Sequence, residues 1–223
     1  MNKTVSFSLW GNNPKYTVGA IKNAELTQKY FKDWKLKYYV GNCVPNPILY
    51  ALEEFSNVQI VQKGNSGDWT SMFWRFDACH DDDSEVVIFR DTDSRLAARE
   101  EAAVNEWLES DKTFHVMRDH PFHKFPILGG MWGFKKTDKY DMKVMLQDFI
   151  KNRVANRYGT DYEFLGDVLF PKIQNDVLIH DEFFGGKPFP TKRNGLEFVG
   201  QVFDENDVTV EEHLAALKNS LKV

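Results

Sequence analysis

Short β-rich runs alternate with helical stretches through the first half of this chain, and that alternation narrows its fold more than any other feature. Thr4–Trp10, Leu36–Val40, Val58–Val61, Glu85–Phe89 and Thr113–Met117 read as strands. Between them, helices are expected from about Tyr16 to Phe31, over Pro47–Phe55, from about Trp69 to Cys79, and over Ala97–Leu108. Strand and helix in regular alternation imply right-handed crossovers and a mainly parallel sheet covered on both faces. The expected class is therefore α/β, with a mainly parallel central sheet flanked by helices.

The second half changes character. Residues Ile127–Lys135 are rich in glycine and aromatics. Helices are expected around Tyr140–Val154 and Tyr162–Gln174, a loop over Gly185–Pro190, and an amphipathic helix over Val210–Leu221. No repeat or Pro/Gly-rich linker divides the 223 residues, so one domain spanning 1–223 is expected.

Composition excludes some functions. The net charge is -5 with no basic block, which argues against a nucleic-acid partner. Cys43 and Cys79 form no CxxC pair and read as reduced thiols, which favours a cytoplasmic protein. The opening MNKTVSFSLWG is too short and polar for a signal peptide, and no apolar run is long enough for a membrane span. An acidic chain that binds a diphosphate needs a local remedy for charge, and a bound metal ion is one.

The stretch VVIFRDTDSR is the most informative. An apolar strand delivers Asp91 and Asp93 at its C-terminal end, where ligands of open α/β sheets bind. Residues two apart on an extended segment face the same side, so both carboxylates can converge on one hard cation, Mn²⁺ or Mg²⁺. The competing reading is a helix cap supplied by Asp93 or Ser94. Asp81-Asp82-Asp83 reads as a solvated loop.

Taken in order, SFSLWG, NAEL, YVG, SMFWRF, FRDTDSRL, MRDHP, PILGGMWGFK, IHD and FVGQVFD resemble a GT-A glycosyltransferase of the small viral and bacterial kind. The resemblance spans nearly the whole chain. It implies a Rossmann-like GT-A domain, with residues up to about 117 binding nucleotide and those from about 118 holding the donor sugar and acceptor. It also implies transfer of a sugar from a nucleotide-sugar to a saccharide or other hydroxyl acceptor. UDP is the implied nucleotide, with GDP the alternative.

By the same resemblance, Ser8, Leu9, Trp10 and Gly11 would cradle base and ribose with Tyr16 nearby, although Trp10 could equally be core packing. Arg75 would meet the donor through Asp91, and Arg90 and Thr92 would flank the metal pair. The segment IHDEFFGGKPFP resembles the His…Gly…Lys-Pro-Trp motif of glycogenin-like enzymes. That makes His180 a third metal ligand and Lys187 a phosphate contact, with Gly186 allowing close backbone approach. The chain departs from the motif by one extra residue and by Phe189 in place of Trp.

Gly129, Gly130, Met131 and Trp132 would wall the donor-sugar and acceptor pocket, unless Trp132 is a core plug. Asp161 resembles the Asp of an Asp-Gln pair that contacts the donor sugar, with Tyr162 replacing Gln. Asp161 and Asp119 are the candidate catalytic carboxylates, with Asp167 a rival; whether the reaction inverts or retains configuration stays open. Two other functions compete. A sugar nucleotidyltransferase would carry a Gly-rich phosphate loop where this chain has WGNNPKY. A carbohydrate-binding module would use Trp69, Trp74 and Trp132 as platforms but needs no metal.

Overall fold

The computed structural model describes residues 1–222. Its core is a seven-stranded sheet in the order β3-β2-β1-β4-β6-β5-β7. The strands are β1 Lys3–Leu9, β2 Trp34–Val40, β3 Val58–Gln62, β4 Val86–Phe89, β5 Phe114–Arg118, β6 Trp132–Lys135 and β7 Val177–Asp181. All neighbouring pairs are parallel except β6, which runs antiparallel to both β4 and β5. The helices are α1 Pro14–Tyr30, α2 Asn46–Glu53, α3 Ala98–Glu109, α4 Met142–Asn152, α5 Thr160–Glu163, α6 Phe170–Ile173 and α7 Glu211–Leu221. The expected single α/β domain is what forms. None of its helices is long and apolar enough to cross a membrane, among the described residues.

Strands β6 and β7 were not expected from the sequence. Two other features differ from expectation. Trp69–Cys79 is a 310 helix rather than an α-helix, and α5 continues through a π-helical stretch, Phe164–Leu169, into α6.

Alternation along the strands builds two cores. Val86 and Ile88 of β4 face one side with Phe7, Tyr38 and Trp107, while Val87 and Phe89 face the other with Phe76, Trp132 and Phe164. All four β4 side chains are buried, as a strand covered on both faces requires. Trp132 stacks on Phe89 with centroids 4.1 Å apart.

On β1 the alternation separates function. Val5, Phe7 and Leu9 enter the apolar core, whereas Thr4, Ser6 and Ser8 present hydroxyls to the opposite face. There Ser6 donates to the Arg75 carbonyl at 2.7 Å, and the Arg75 N–H donates to Ser8 at 2.9 Å. These bonds dock the 310 helix onto β1. Its start is fixed by a capping box: Asp68 accepts from the Thr70 N–H, and Ser71 accepts from the Asp68 N–H at 2.9 Å.

The loop after β4 is held by α1. Buried Asn23 donates to the carbonyls of Thr92 and Ser94, and its own oxygen accepts from Leu96 N–H at 3.1 Å. At Gly19 no side chain would fit against the Thr92 carbonyl. The acidic run 81–83 is less solvated than its sequence implies, because Asp81 and Asp83 clamp the buried Lys37 ammonium.

Candidate active site

The C-terminal ends of β1 and β4 open into a cavity of about 760 Å³. Because β6 is antiparallel, its entry lies at that same edge, and Gly129-Gly130-Met131 come in beside the residues leaving β4. The cavity gathers most of the residues singled out in the sequence. Ser8, Leu9, Trp10, Gly11 and Tyr16 line one side; Asp91, Thr92 and Asp93 line the floor; Arg75, Asp161, Gly129, Gly130 and Met131 complete it.

Arg75 is the hub. Its guanidinium ion-pairs with Asp91 and, at 3.0 Å, with Asp161, and it donates to the Arg90 carbonyl. A planar fork can hold two carboxylates at once, which an ammonium cannot do with fixed geometry. Burial would depress the Arg75 pKa, but the Asp91 and Asp161 carboxylates raise it on balance, so it stays charged. The second Asp161 oxygen, Oδ1, is buried and has no hydrogen-bond partner. Burial raises the Asp161 pKa, with Arg75 opposing.

Asp93 pairs with a different cation. Lys15 Nζ lies 2.7 Å from its Oδ2. Lys15 sits in the first turn of α1, after Asn13 caps the helix and Pro14 opens it. Burial raises the Asp93 pKa and the Asp91 charge adds to this, with Lys15 pulling the other way. Five charged side chains therefore line the cavity, three carboxylates against Lys15 and Arg75.

The paired glycines have a steric reason. A Cβ on Gly129 would collide with the Asp161 carboxylate and the Arg75 guanidinium, and one on Gly130 with the Asp91 carboxylate. The backbone of 129–130 thus packs against the acidic cluster itself.

Six of the residues expected at the site lie elsewhere, and each has a local reason. Arg90 is buried, paired with Glu100 and donating to the Phe89 and Trp132 carbonyls, so it ties β4 to α3 and β6. Trp132 is fully buried in the core against Phe89 and Phe76 and is no sugar platform. Asp119 is fully buried and saturated: Arg99 and Arg193 grip both oxygens, and Val199 N–H donates to Oδ2 at 2.9 Å. No lone pair is left facing the cavity for proton transfer.

His180 does not reach the Asp pair. It lies on β7 at the far side of β5, with Nδ1 2.7 Å from His115 Nε2 and Nε2 2.8 Å from Glu106 of α3. Burial lowers its pKa, with Glu106 opposing. Lys187 pairs with the same Glu106. The segment 182–186 folds back on β7, since Lys187 N–H donates to Ile179 O and Asp181 N–H to Lys187 O. Gly186 is required there, because a Cβ would stand 2.6 Å from Asp181 Cβ and 2.9 Å from the Ile179 carbonyl. Among the described residues no group of three or more His, Cys, Asp and Glu side chains is arranged to hold a metal by itself.

The structure adds residues that the sequence alone did not assign, and joins some of them to Trp69 and Tyr162, which the sequence did single out. Lys15 is one addition, and nothing in its own neighbourhood, directly after the Asn-Pro helix start, marked it. Trp69, Phe125, Tyr158 and Tyr162 form an aromatic rim: Trp69 meets Tyr158 edge-on at 5.4 Å, and Phe125 stacks on Tyr162 at 4.8 Å. His123 also lines the cavity, its Nδ1 accepting from Asp119 N–H at 3.1 Å. Burial, aided by the neighbouring histidines, lowers its pKa to about 3, so it stays neutral.

No protein-family model matches the chain, and no curated protein matches it. Solved structures do resemble it. A glycosyltransferase involved in glycosylation of the major capsid of PBCV-1 matches with a TM-score of 0.54 and 16% identity, over 81% of this chain and 82% of that one. The mannosyltransferase PcManGT from Pyrobaculum calidifontis, in complex with GDP-Man and Mn²⁺, matches with a TM-score of 0.53 and 11% identity. That match covers 81% of this chain and 55% of the other. A 4-diphosphocytidyl-2C-methyl-D-erythritol synthase from Anaerococcus prevotii matches with a TM-score of 0.53 and 13% identity, over 100% and 99%. The chain has the GT-A glycosyltransferase fold.

Proposed function

We propose that this protein is a metal-dependent glycosyltransferase that moves a sugar from a nucleotide-sugar, UDP-linked or alternatively GDP-linked, to a hydroxyl acceptor. One observation carries the reading. Asp91, Asp93, Arg75 and Asp161 meet in one cavity at the carboxyl ends of the central strands. Three carboxylates against two cations leave the lining one negative charge, which would repel a diphosphate. A divalent cation reverses that balance.

The residues fit such an ion. Asp91 has one oxygen on Arg75 and the other turned toward Gly130. Hard cations of the Mg²⁺ class are held by one or two carboxylates plus substrate phosphates and water, so a full protein cage is not needed. Asp91 and Asp93 would hold it, and it would neutralise charge that builds on the departing nucleoside diphosphate.

The chain's own groups have distinct tasks. Tyr16 and Trp10, with the β1 backbone edge at Ser8 and Gly11, line the cavity and would hold base and ribose. Asp161 keeps a free carboxylate oxygen for a sugar hydroxyl, and Arg75 fixes its direction. Arg75 also fixes Asp91, so one guanidinium couples donor-sugar contact to metal contact. The aromatic rim at Trp69, Tyr158, Phe125 and Tyr162 offers apolar faces of the kind that stack on sugars or bases.

The test is hydrolysis or transfer of UDP- and GDP-sugars with and without Mn²⁺, comparing wild type with Asp93→Ala. Metal-dependent cleavage lost in the variant is expected. Absence of donor binding with metal present would sink the reading. A sugar nucleotidyltransferase is the second reading, favoured by the end-to-end likeness to the cytidylyl-type synthase. The single glycine of WGNNPKY counts against it. Release of pyrophosphate from a nucleoside triphosphate and a sugar phosphate would decide for it.

A further inference from the structure

The two acidic residues at the end of β4 are neutralised by cations of opposite character. Asp91 is held by Arg75, whose side chain is 5% exposed and pinned by Asp161 and the Arg90 carbonyl as well. Asp93 is held by Lys15, whose side chain is 31% exposed and has Asp93 as its one ion-pair partner among the described residues. Arginine's fork is rigid, whereas lysine carries a hydrated point charge on a flexible four-carbon stem. One counter-ion is thus built into the frame, while the other is held by a single ion pair and by the Tyr16 ring beneath it, 5.1 Å away.

Lys15 also stands in the right place to move usefully. It is in the first turn of α1, where the positive end of the helix dipole favours an anion. Asn12, Asn13 and Tyr16 beside it line the cavity. The stem reaches from that turn to the floor, so Nζ can sweep the space between them.

We infer that Lys15 is an exchangeable counter-ion: it occupies Asp93 in the empty site and transfers to the donor's diphosphate when a divalent cation takes Asp93. This rests on the nucleotide-sugar reading above and adds a residue to it. Two consequences follow from charge alone. Before donor binds, Lys15 competes with the metal for the same carboxylate. After donor binds, the metal and Lys15 neutralise the diphosphate together, so metal and nucleotide each strengthen the other's binding. The pairing also gives Asp93 a counter-ion beside the Arg75-bound Asp91 when the site is empty.

The experiment uses the full chain with Lys15→Met and Lys15→Arg, each checked by circular dichroism melting. Free Mn²⁺ is followed by electron paramagnetic resonance without nucleotide. UDP, or GDP where UDP does not bind wild type, is then titrated calorimetrically at saturating Mn²⁺. Lys15→Met is expected to bind Mn²⁺ alone about tenfold tighter, and nucleoside diphosphate about tenfold weaker with Mn²⁺ present. Lys15→Arg, which keeps the charge, is expected to stay within about threefold of wild type in both. If either constant for Lys15→Met stays within about twofold of wild type, the exchange is overturned while the nucleotide-sugar reading stands. If wild type binds neither Mn²⁺ nor nucleoside diphosphate, both fall together.

Discussion

Two clusters of charge lie along the sheet, and they differ in one respect that decides their roles. At the ends of β1 and β4, Arg75, Asp91, Asp93, Asp161 and Lys15 border an open cavity, and Asp161 Oδ1 has no partner. Beyond β5, the Arg99–Asp119–Arg193 and His115–His180–Glu106–Lys187 groups have their charged oxygens taken up by one another. Charged residues are as dense in one as in the other. What separates them is that the first lines a space a ligand can enter. A carboxylate gripped by two guanidiniums has nothing left to offer a substrate, whereas one with a free oxygen has.

The sharpest way to break this contrast is to remove the floor carboxylates. Asp91→Ala or Asp93→Ala should cut donor turnover by about 10³-fold while the melting temperature barely moves. Steady-state kinetics beside a thermal melt tests it; undiminished turnover in either variant would end the assignment of the open cluster. The closed cluster should respond in the opposite way. Asp119→Ala leaves buried Arg193 without its carboxylate and Arg99 with Glu182 alone, and should cost about 3–5 kcal/mol of stability. Urea unfolding measures that, and a loss of kcat at unchanged stability would instead make Asp119 part of the chemistry.

Acid should probe the histidines bordering both clusters. The folded pKa of His123 is about 3, below the ordinary 6.5, so the unfolded chain binds more protons between those values. Its contribution to stability is whole above pH 6.5 and is lost as pH falls. Wild type should therefore lose melting temperature relative to His123→Asn on acidification below 6.5. Parallel curves for the two proteins would contradict the burial argument. The smallest effect is expected at His180. His180→Asn should leave Mn²⁺ affinity within about twofold, since its imidazole is spent on His115 and Glu106. A large loss would restore it as a metal ligand.

The fold was readable where periodicity and length were strong. Apolar β4 ran straight into Asp91 and Asp93, and the alternating helices implied the parallel sheet that forms. Strand β6 escaped because Gly133 interrupts it inside a Gly- and aromatic-rich stretch, whereas β4, equally short, is an unbroken apolar run. The site was legible where residues sit at strand ends. It was misleading where a motif depended on which face of a strand a side chain takes. His180 pairs in register with Met117 of β5, and its side chain goes to α3 rather than the cavity. A shift of one residue would have reversed that, and no motif encodes it. Trp132 went to the core for the same reason. Lys15 was missed because a single lysine at a helix start has no distinguishing pattern until its partner is known.

The Gly129-Gly130 step has a consequence for how this pocket can change. Because the main chain of 130 rests directly on the Asp91 carboxylate, the direction of that acid is chosen by the neighbouring strand that runs opposite to β4. Adding even a methyl group at 130 would push Asp91 aside, carboxylate and backbone N–H alike, while changing the identity of no polar residue of the floor. Saturation mutagenesis there should therefore silence the protein without unfolding it, a failure that a catalogue of the floor's polar groups would not foresee.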